Sequence, residues 1–292
     1  MSNPEISIVI VSWNCWEFLP ACLDSIFLQI VPEKEVVLID NDSSDETAQK
    51  VSQQYPQVKL IVNPHNLGYA RACNQGIREA KGEFILLLNP DTLLQSESLS
   101  RMYNFMKDNP EVGALGPQLL NPDGSIQPSC RRFPTYSTLV WEFTFLSKLF
   151  PAHPIFGSWR MGDFDFKDLR EVDQPMASAL LIRKKVTETV GLMDESFRMF
   201  FNDVDYCLRI RQAGFKIVFI PQAKIVHHLG GSTKKRRVAR VFLSHSGFFQ
   251  YLEKHHSAGF KLIPLIMSGA GLFISAVIRT MASPLTSIYR KR

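Results

Sequence analysis

Two apolar segments of the sequence end directly at acidic side chains. The segment 84–88 is followed by Asn-Pro-Asp91, and the segment 36–39 is followed by Asp40. Five consecutive apolar residues are typical of a strand that is covered on both faces in a parallel α/β sheet, and proline cannot continue such a strand. Ligands of open α/β sheets bind beyond the carboxyl ends of the strands. Asp40 and Asp91 are therefore candidates for metal or substrate contact; the alternative for Asp91 is capping of the next helix.

Further residues that could act in catalysis or metal binding lie in the second half of the chain. Asp203 and Asp205 fall in the first turn of a predicted helix over residues 200–214. Being two residues apart, they point about 200° away from each other, so only one can face a given cleft. The alternative is that both are ordinary first-turn acids, favoured by the helix dipole. His227 and His228 precede a glycine pair and are either structural histidines or a source of one imidazole ligand for a metal.

The elements that must position these side chains alternate between strand and helix. Strands are predicted over 6–12, 36–39, 58–62 and 84–88, and helices over 16–28, 46–55 and 69–81. Three successive β-α units indicate an α/β fold with a mostly parallel, right-handed, doubly wound sheet and helices on both faces.

Later elements are less regular. A helix is predicted over 98–109, an apolar segment over 112–120, and strands over 176–182 and 216–220; the residues Asn121 to Gly124, Asn-Pro-Asp-Gly, give a strong turn signal. Residues 135–170 are rich in aromatic side chains, proline and glycine, which predicts a variable or mobile region.

The turn after the first strand, residues 12–16, contains no glycine. A dinucleotide-binding fold requires G-x-G-x-x-G at this place so that backbone amides can approach a pyrophosphate. The chain also lacks the G-x-x-x-x-G-K-[ST] loop. If the protein binds a diphosphate, a divalent cation held by carboxylates is the expected substitute for these loops.

Charge and cysteine content indicate the cellular environment of the protein. The 33 Lys+Arg exceed the 28 Asp+Glu, and the excess is concentrated at 234–237 and 290–292. These basic groups predict contact with an anionic surface; the alternative is a solvated loop. The five cysteines show no metal-ligand spacing and indicate a reducing compartment. The first apolar run, 6–11, is too short for a signal peptide, so we expect a cytoplasmic location.

An apolar segment over residues 262–278 lies near the end of the sequence, between two basic residues. As a helix it would be about 25 Å long, against a hydrocarbon core of roughly 30 Å. The favoured interpretation is a helix at the membrane surface; a buried core helix and a full span stay open. We expect a catalytic domain over 1–255 and a membrane-associating tail over 256–292.

Six segments of the chain carry a resemblance to a known family. They are Ile8–Asn14, Leu38–Asp45, Asn66–Gly76, Leu88–Thr92, Asn202–Arg209 and His227–Ser232. In this order they resemble the family 2 glycosyltransferases, and among them the rhamnosyltransferase-like enzymes of bacterial surface-polysaccharide assembly. The resemblance implies a GT-A fold and an inverting transfer of a sugar, L-rhamnose, from a nucleotide-diphosphate donor.

The resemblance also assigns roles to individual residues. Asp203 corresponds to the catalytic base, and Asp91 with His227 to the ligands of Mn²⁺ or Mg²⁺, with His228 as the alternative ligand. Donor binding is implied for Asn14, Asp40, Asp42, Asn66, Arg71, Asn74 and Asn89, among which Asp40 corresponds to the nucleobase contact. The chain departs from the family pattern at Asn202, where a glutamate is usual.

The expected partners follow from the same resemblance. They are a nucleotide-sugar donor, dTDP-rhamnose or a UDP-sugar, a glycan or lipid-linked acceptor, and the inner face of the plasma membrane; no nucleic-acid partner is expected. Two other functions stay open. A metal-dependent nucleotidyltransferase would usually need a glycine- and arginine-rich first loop, and a non-catalytic nucleotide-sugar-binding module is suggested by Asn202 alone.

Overall fold

The computed structural model describes residues 4–31, 33–197, 199–228, 237–256, 269 and 271–273. The strands are β1 (Ile6–Ser12), β2 (Lys34–Asp40), β3 (Lys59–Val62), β4 (Phe84–Leu88), β5 (Thr92–Leu94), β6 (Val112–Leu120), β7 (Ile126–Gln127), β8 (Cys130–Arg131), β9 (Arg170–Glu171), β10 (Gln174–Pro175), β11 (Ala179–Arg183) and β12 (Lys216–His227). The helices are α1 (Leu19–Phe27), α2 (Thr47–Gln54), α3 (Tyr69–Glu79), α4 (Ser98–Asp108), α5 (Tyr136–Phe143), α6 (Leu146–Leu149), α7 (Lys184–Val190), α8 (Asn202–Gln212) and α9 (Arg237–His256).

A central sheet carries most of these strands, in the order β3-β2-β1-β4-β11-β6-β12-β5. The pairs β1–β2, β1–β4, β2–β3 and β6–β12 are parallel. Among these eight strands, two run the other way: β11 is antiparallel to β4 and β6, and β5 is antiparallel to β12. The short strands β7 and β9 add antiparallel pairs to β6 and β12. A strand that follows β4 and runs parallel to it would need a crossover connection of a dozen or more residues. The turn between β4 and β5 is too short for such a connection, so β5 runs in the opposite direction to β4. The prediction of a mostly parallel α/β sheet is confirmed.

Helices cover both faces of this sheet. Along β2, Val36 and Leu38 join the core cluster that includes α1, α2 and α4, whereas Val37 and Ile39 pack with α3. Successive strand residues face opposite sides of a sheet, so the uninterrupted apolar run of β2 is buried on both sides. The approach of α3 is close: a Cβ atom added to Gly76 would lie 2.2 Å from Val9 Cγ1.

The strand β12 is longer than the predicted segment 216–220. Its pairing with β6 shifts register between Ile220 and Lys224, next to Pro221, which has no N–H group for the ladder. The strand then resumes and ends at His227. The proline interrupts the pairing without ending the strand, and this extension carries the histidine to the edge of the sheet at which β4 ends.

The chain divides into two compact units. The first contains residues 1–131, 165–195 and 203–232, and the second contains 132–164, 196–202 and 233–292. The region 135–170, for which the sequence predicts a variable or mobile region, includes the helices α5 and α6, both in the second unit. There Arg160 forms an ion pair with Glu142 at 2.6 Å.

The predicted tail, 256–292, lies outside the described residues except for 256, 269 and 271–273. The domain boundary after residue 255 therefore stays a prediction. Among the helices that the structure describes, none is both long and apolar enough to cross a membrane.

Substitution of Leu86 in β4, whose side chain is fully buried, tests the central position of this strand in the sheet. We expect Leu86→Ala to lower the free energy of unfolding by about 3 kcal/mol, because the truncated side chain leaves a cavity between packed elements. Urea unfolding followed by circular dichroism measures this loss. The control is Leu28→Ala, at a side chain that is 79% exposed, with an expected change below about 0.5 kcal/mol. Equal losses in the two variants would contradict the central position of β4.

Candidate functional site

Strand pairing brings Asp91 and His227 together. Thr92, the first residue of β5, lies opposite His227, the last residue of β12. The backbone N–H of His228 donates to the carbonyl oxygen of Asp91 at 2.9 Å. In this register the Oδ1 atom of Asp91 lies 3.5 Å from Nε2 of His227, and both side chains are 3% exposed. A carboxylate and an imidazole thus meet at the carboxyl end of β4.

The two histidines occupy different surroundings. Nδ1 of His227 lies 2.8 Å from Oε1 of Gln127, while its Nε2 faces Asp91 and makes no hydrogen bond within the described residues. The ring of His228 instead packs against Phe18, with 5.4 Å between the ring centroids. Of the two candidates, His227 is the one whose imidazole lies beside Asp91.

The Asp91 and His227 pair fits a divalent cation through the chemistry of its donor atoms. A carboxylate oxygen and a neutral imidazole nitrogen form a borderline set, suited to Mn²⁺ and related ions. Within the described ranges, no group of three or more His, Cys, Asp and Glu side chains is arranged to hold a metal. Two protein ligands are sufficient for ions of this kind when substrate phosphates complete the shell.

Asp203 and Asp205 point to different partners from the start of α8. Oδ2 of Asp203 accepts hydrogen bonds from Nε2 of Gln174 at 3.0 Å and from the backbone N–H of Ala177 at 3.4 Å. Burial raises the pKa of Asp203 above its ordinary value, and these hydrogen bonds oppose the rise. Asp205 is fully buried and forms an ion pair with Arg209 at 2.9 Å.

Tyr69, at the start of α3, lies near both candidate acids. Its hydroxyl donates to the carbonyl oxygen of Ala177 at 3.2 Å. Burial raises the pKa of Tyr69 far above its ordinary value, and the negative charges of Asp203 and Asp91 contribute to the rise. Sequence reasoning missed this residue, although it lies inside the segment Asn66–Gly76 that carries the family resemblance.

Two loops at the carboxyl ends of β1 and β2 are joined through the predicted donor residues. Oδ1 of Asn14 accepts from the backbone N–H of Ser44 at 2.7 Å, and the N–H of Asn14 donates to Oγ of Ser43 at 2.9 Å. Oδ2 of Asp40 accepts from the N–H of Ser43 at 3.2 Å. Its Oδ1 is buried without a hydrogen bond to any described residue. Asp42 is exposed, with a φ of 70°.

Asn66 shapes the loop before α3. Its Oδ1 accepts from the N–H of Gly68 at 3.0 Å and from Nδ2 of Asn41 at 3.1 Å. Oδ1 of Asn41 in turn accepts from the N–H of Leu67 at 3.0 Å. These bonds attach the loop to the end of β2, next to Asp40.

Arg71 and Asn74 contact a different segment. Arg71 Nε lies 2.9 Å from Glu195 Oε2. Asn74 is buried, and its Nδ2 donates to Glu195 Oε1 and to the carbonyl oxygen of Met193, whose N–H donates back to Asn74 Oδ1. In the described part of the chain, neither side chain hydrogen-bonds to Asp40 or to Asp91.

The two remaining asparagines lie next to the candidate acids in the chain. The N–H of Asn89 donates to the carbonyl oxygen of Ser178 at 2.9 Å, and the carbonyl oxygen of Asn89 accepts from the Thr92 hydroxyl at 2.7 Å. Asn89 thereby fixes the turn that presents Asp91. Asn202 is buried, and its Nδ2 donates to the carbonyl oxygen of Met199 at 3.3 Å.

Comparisons with known proteins agree on one family. The model of glycosyl transferase family 2 matches residues 7–169. An N-acetylglucosaminyl-diphospho-decaprenol L-rhamnosyltransferase from Mycobacterium tuberculosis is 30% identical over 263 residues, which cover 86% of this chain and 85% of the relative. A low-salt glycan biosynthesis hexosyltransferase from Haloferax volcanii is 27% identical over 219 residues, which cover 73% of this chain and 64% of that relative.

Solved structures share the fold at low sequence identity. A mannosyltransferase from Pyrobaculum calidifontis, in complex with GDP-Man and Mn²⁺, has a TM-score of 0.61 at 17% identity and covers 99% of this chain and 79% of its own. The structure of GalNAc-T7 with UDP, GalNAc and Mn²⁺ has a TM-score of 0.62 at 16% identity. It covers 86% of this chain, which spans only 48% of that structure.

Stability measurements can separate the two acids of α8. Asp205→Asn should lower the free energy of unfolding by about 3 kcal/mol, because it leaves the partly buried Arg209 without its charged partner. Asp203→Asn should cost less than about 1 kcal/mol at pH 7. A pKa that is raised in the folded state means that folding disfavours the ionised carboxylate, so the neutral amide loses no electrostatic stabilisation. Urea unfolding of both variants measures the difference. A larger loss for Asp203→Asn would contradict this division of roles.

Proposed function

Because the chain belongs to glycosyl transferase family 2, we propose that it transfers L-rhamnose from a nucleotide-diphosphate donor to a lipid-linked or glycan acceptor in cell-surface polysaccharide synthesis. The observation that carries the proposal is the buried pair of Asp91 and His227, at the sheet edge where α/β proteins bind their ligands. The name of the M. tuberculosis relative supports the choice of sugar and of a lipid-diphosphate acceptor.

The nucleotide half of the donor binds at the carboxyl ends of β1 and β2. The buried Oδ1 of Asp40 is an acceptor that gains a partner when a nucleobase N–H reaches it, which would offset the cost of its burial. Asn14 and Asn66 fix the loops on either side. Asp42 and Asn89 complete the proposed donor contacts, whereas Arg71 and Asn74 act by holding the segment that contains Glu195.

Asp91 and His227 hold the divalent cation in this proposal. A bound cation stabilises the negative charge that develops on the leaving diphosphate, without a proton transfer. The imidazole favours Mn²⁺ modestly over Mg²⁺. The P. calidifontis and GalNAc-T7 structures were each determined with Mn²⁺.

Asp203 acts as the general base. It takes the proton from an acceptor hydroxyl that attacks the sugar on the face opposite the leaving diphosphate, so the anomeric centre inverts. Hydrogen bonds from Gln174 and Ala177 orient its carboxylate. Its raised pKa makes it a stronger base than an ordinary aspartate. With Asn202 in place of glutamate, no second carboxylate adjoins the base in the chain.

The proposal includes attachment of residues 256–292 to the inner face of the plasma membrane; of this tail, the structure describes only 256, 269 and 271–273. Basic groups at 234–237 and 290–292 are suited to anionic headgroups. A lipid-linked acceptor would make such attachment useful, because the acceptor hydroxyl then lies at the same surface.

Calorimetry with a donor panel tests donor and metal together. The panel is dTDP-rhamnose, UDP-glucose, UDP-galactose and GDP-mannose. We expect only dTDP-rhamnose to bind in the presence of Mn²⁺, and we expect a chelator to remove most of its affinity. Asp91→Asn should reproduce the effect of the chelator. A folded protein that binds none of the four would contradict the proposal. Binding without transfer to any acceptor would favour the non-catalytic module.

Substitution of the base separates binding from chemistry. Asp203→Asn should lower kcat on the order of 10²–10⁴-fold while calorimetric donor binding is retained, because the base touches only the acceptor. In the wild type, kcat/KM should fall as the pH drops through the pKa of Asp203, at a pH above that of an ordinary aspartate, since transfer needs the ionised form. The matched control is Asp165→Asn, at an exposed carboxylate. Loss of donor binding in Asp203→Asn would refute this role.

A further inference from the structure

The turn at residues 121–124 has no role in the function described so far. Gly124 has a φ of +82°, its N–H donates to the carbonyl oxygen of Asn121 at 2.9 Å, and the N–H of Asn121 donates to the carbonyl oxygen of Ser125 at 2.8 Å. The turn joins β6 to β7, which pair antiparallel with Gln127 opposite Leu119. A sharp hairpin therefore folds Gln127 back onto the strand that neighbours β12.

The exposed carboxylate of Asp123 decides which side chains donate and which accept the hydrogen bonds of this hairpin. Ser125 hydrogen bonds hold the pKa of Asp123 below its ordinary value, so Asp123 is ionised and can only accept. The Ser125 hydroxyl donates to Asp123 Oδ1 at 2.6 Å. A hydroxyl has a single proton, so Oγ of Ser125 must accept from Nδ2 of Asn121, which lies at 2.9 Å.

The same direction continues to His227. Since Asn121 uses its NH₂ group toward Ser125, its Oδ1 is the atom that accepts from Nε2 of Gln127 at 2.9 Å. The Gln127 NH₂ group also points to the carbonyl oxygen of His227 at 3.4 Å. Its Oε1 is then the atom 2.8 Å from His227 Nδ1, and it can only accept. The proton of the neutral imidazole must reside on Nδ1.

This assignment decides which atom faces Asp91. With the proton on Nδ1, the Nε2 atom of His227 carries a lone pair, 3.5 Å from Oδ1 of Asp91. The carboxylate alone would favour the opposite tautomer, with a proton on Nε2 donated to it. The contact with Gln127 is shorter, at 2.8 Å, and Gln127 is only 4% exposed, so water does not compete with it.

We propose that Gln127 is a positioning residue that, aligned by Asn121, Ser125 and Asp123, holds His227 in the Nδ1–H tautomer and keeps Nε2 available to a divalent cation. The proposal rests on the proposed function for the identity of the ligand. The tautomer itself is a property of the metal-free protein. Partners of this kind behind a metal-binding histidine typically account for about 10–100-fold in metal affinity.

The first test reads the tautomer without metal. Imidazole ¹⁵N spectra of the metal-free protein, assigned by loss of the signals in His227→Gln, should show the proton of His227 on Nδ1. Gln127→Leu should move it to Nε2, toward Asp91. The matched control is Gln118→Leu, because Gln118 is also a buried amide and donates to the Phe166 carbonyl oxygen instead. An unchanged tautomer in Gln127→Leu would overturn the proposal.

The second test measures Mn²⁺ affinity by electron paramagnetic resonance, with UDP or dTDP added. Gln127→Leu should weaken Mn²⁺ binding about 10–100-fold. Gln127→Glu should bind Mn²⁺ more tightly than Gln127→Leu, because a carboxylate accepts a hydrogen bond from the Nδ1–H group. Gln118→Leu should match the wild type. Equal affinity of Gln127→Leu and the wild type would overturn the proposal. Failure of the wild type to bind Mn²⁺ would refute the proposed metal site, while the tautomer test would still decide the role of Gln127.

Discussion

The register between β5 and β12 is the constraint on which the rest of the site depends. Successive residues of a strand face opposite sides of the sheet, so a shift by one residue would turn His227 away from Asp91 and present His228. Several contacts hold this register. Thr92 pairs with His227, the N–H of His228 binds the carbonyl oxygen of Asp91, and the Thr92 hydroxyl closes the turn after β4. The two donor atoms are thus placed by backbone pairing rather than by flexible side chains.

Burial of these polar groups is costly, and the surrounding structure must offset that cost. An imidazole and a carboxylate at 3% exposure lose most of their hydration, which is unfavourable unless each atom finds a partner. The fully apolar strand β4 and the helices on both faces of the sheet supply the compensating burial. Rigid packing also limits how far the groups can move, so they are arranged before any ligand arrives. Such preorganisation is the main source of electrostatic catalysis in enzymes.

Local patterns in the sequence predicted the first four strands well. The bounds of β1 and β4 agree with prediction, because each is a dense apolar run that ends at a polar residue. The choice between His227 and His228 depends on the pairing of β12 with β5, which no local pattern encodes. Helical geometry predicted that Asp203 and Asp205 face different ways, and the pairing of Asp205 with Arg209, four residues later, follows from the same geometry. Gln127 escaped notice because its partner lies 100 residues away in the chain.

The two-stranded ladder of β8 and β10 has a consequence for how such a protein can diversify. Pro175 pairs with Cys130 and Gln174 with Arg131, so the ladder joins two first-unit segments that lie before and after the stretch 132–164 in the sequence. Asp91, Asp203 and His227 all belong to the first unit. Insertions or deletions within 132–164 therefore add or remove no residue of the first unit. Natural variation can therefore change the length of this stretch while the unit that contains these three side chains keeps the same residues.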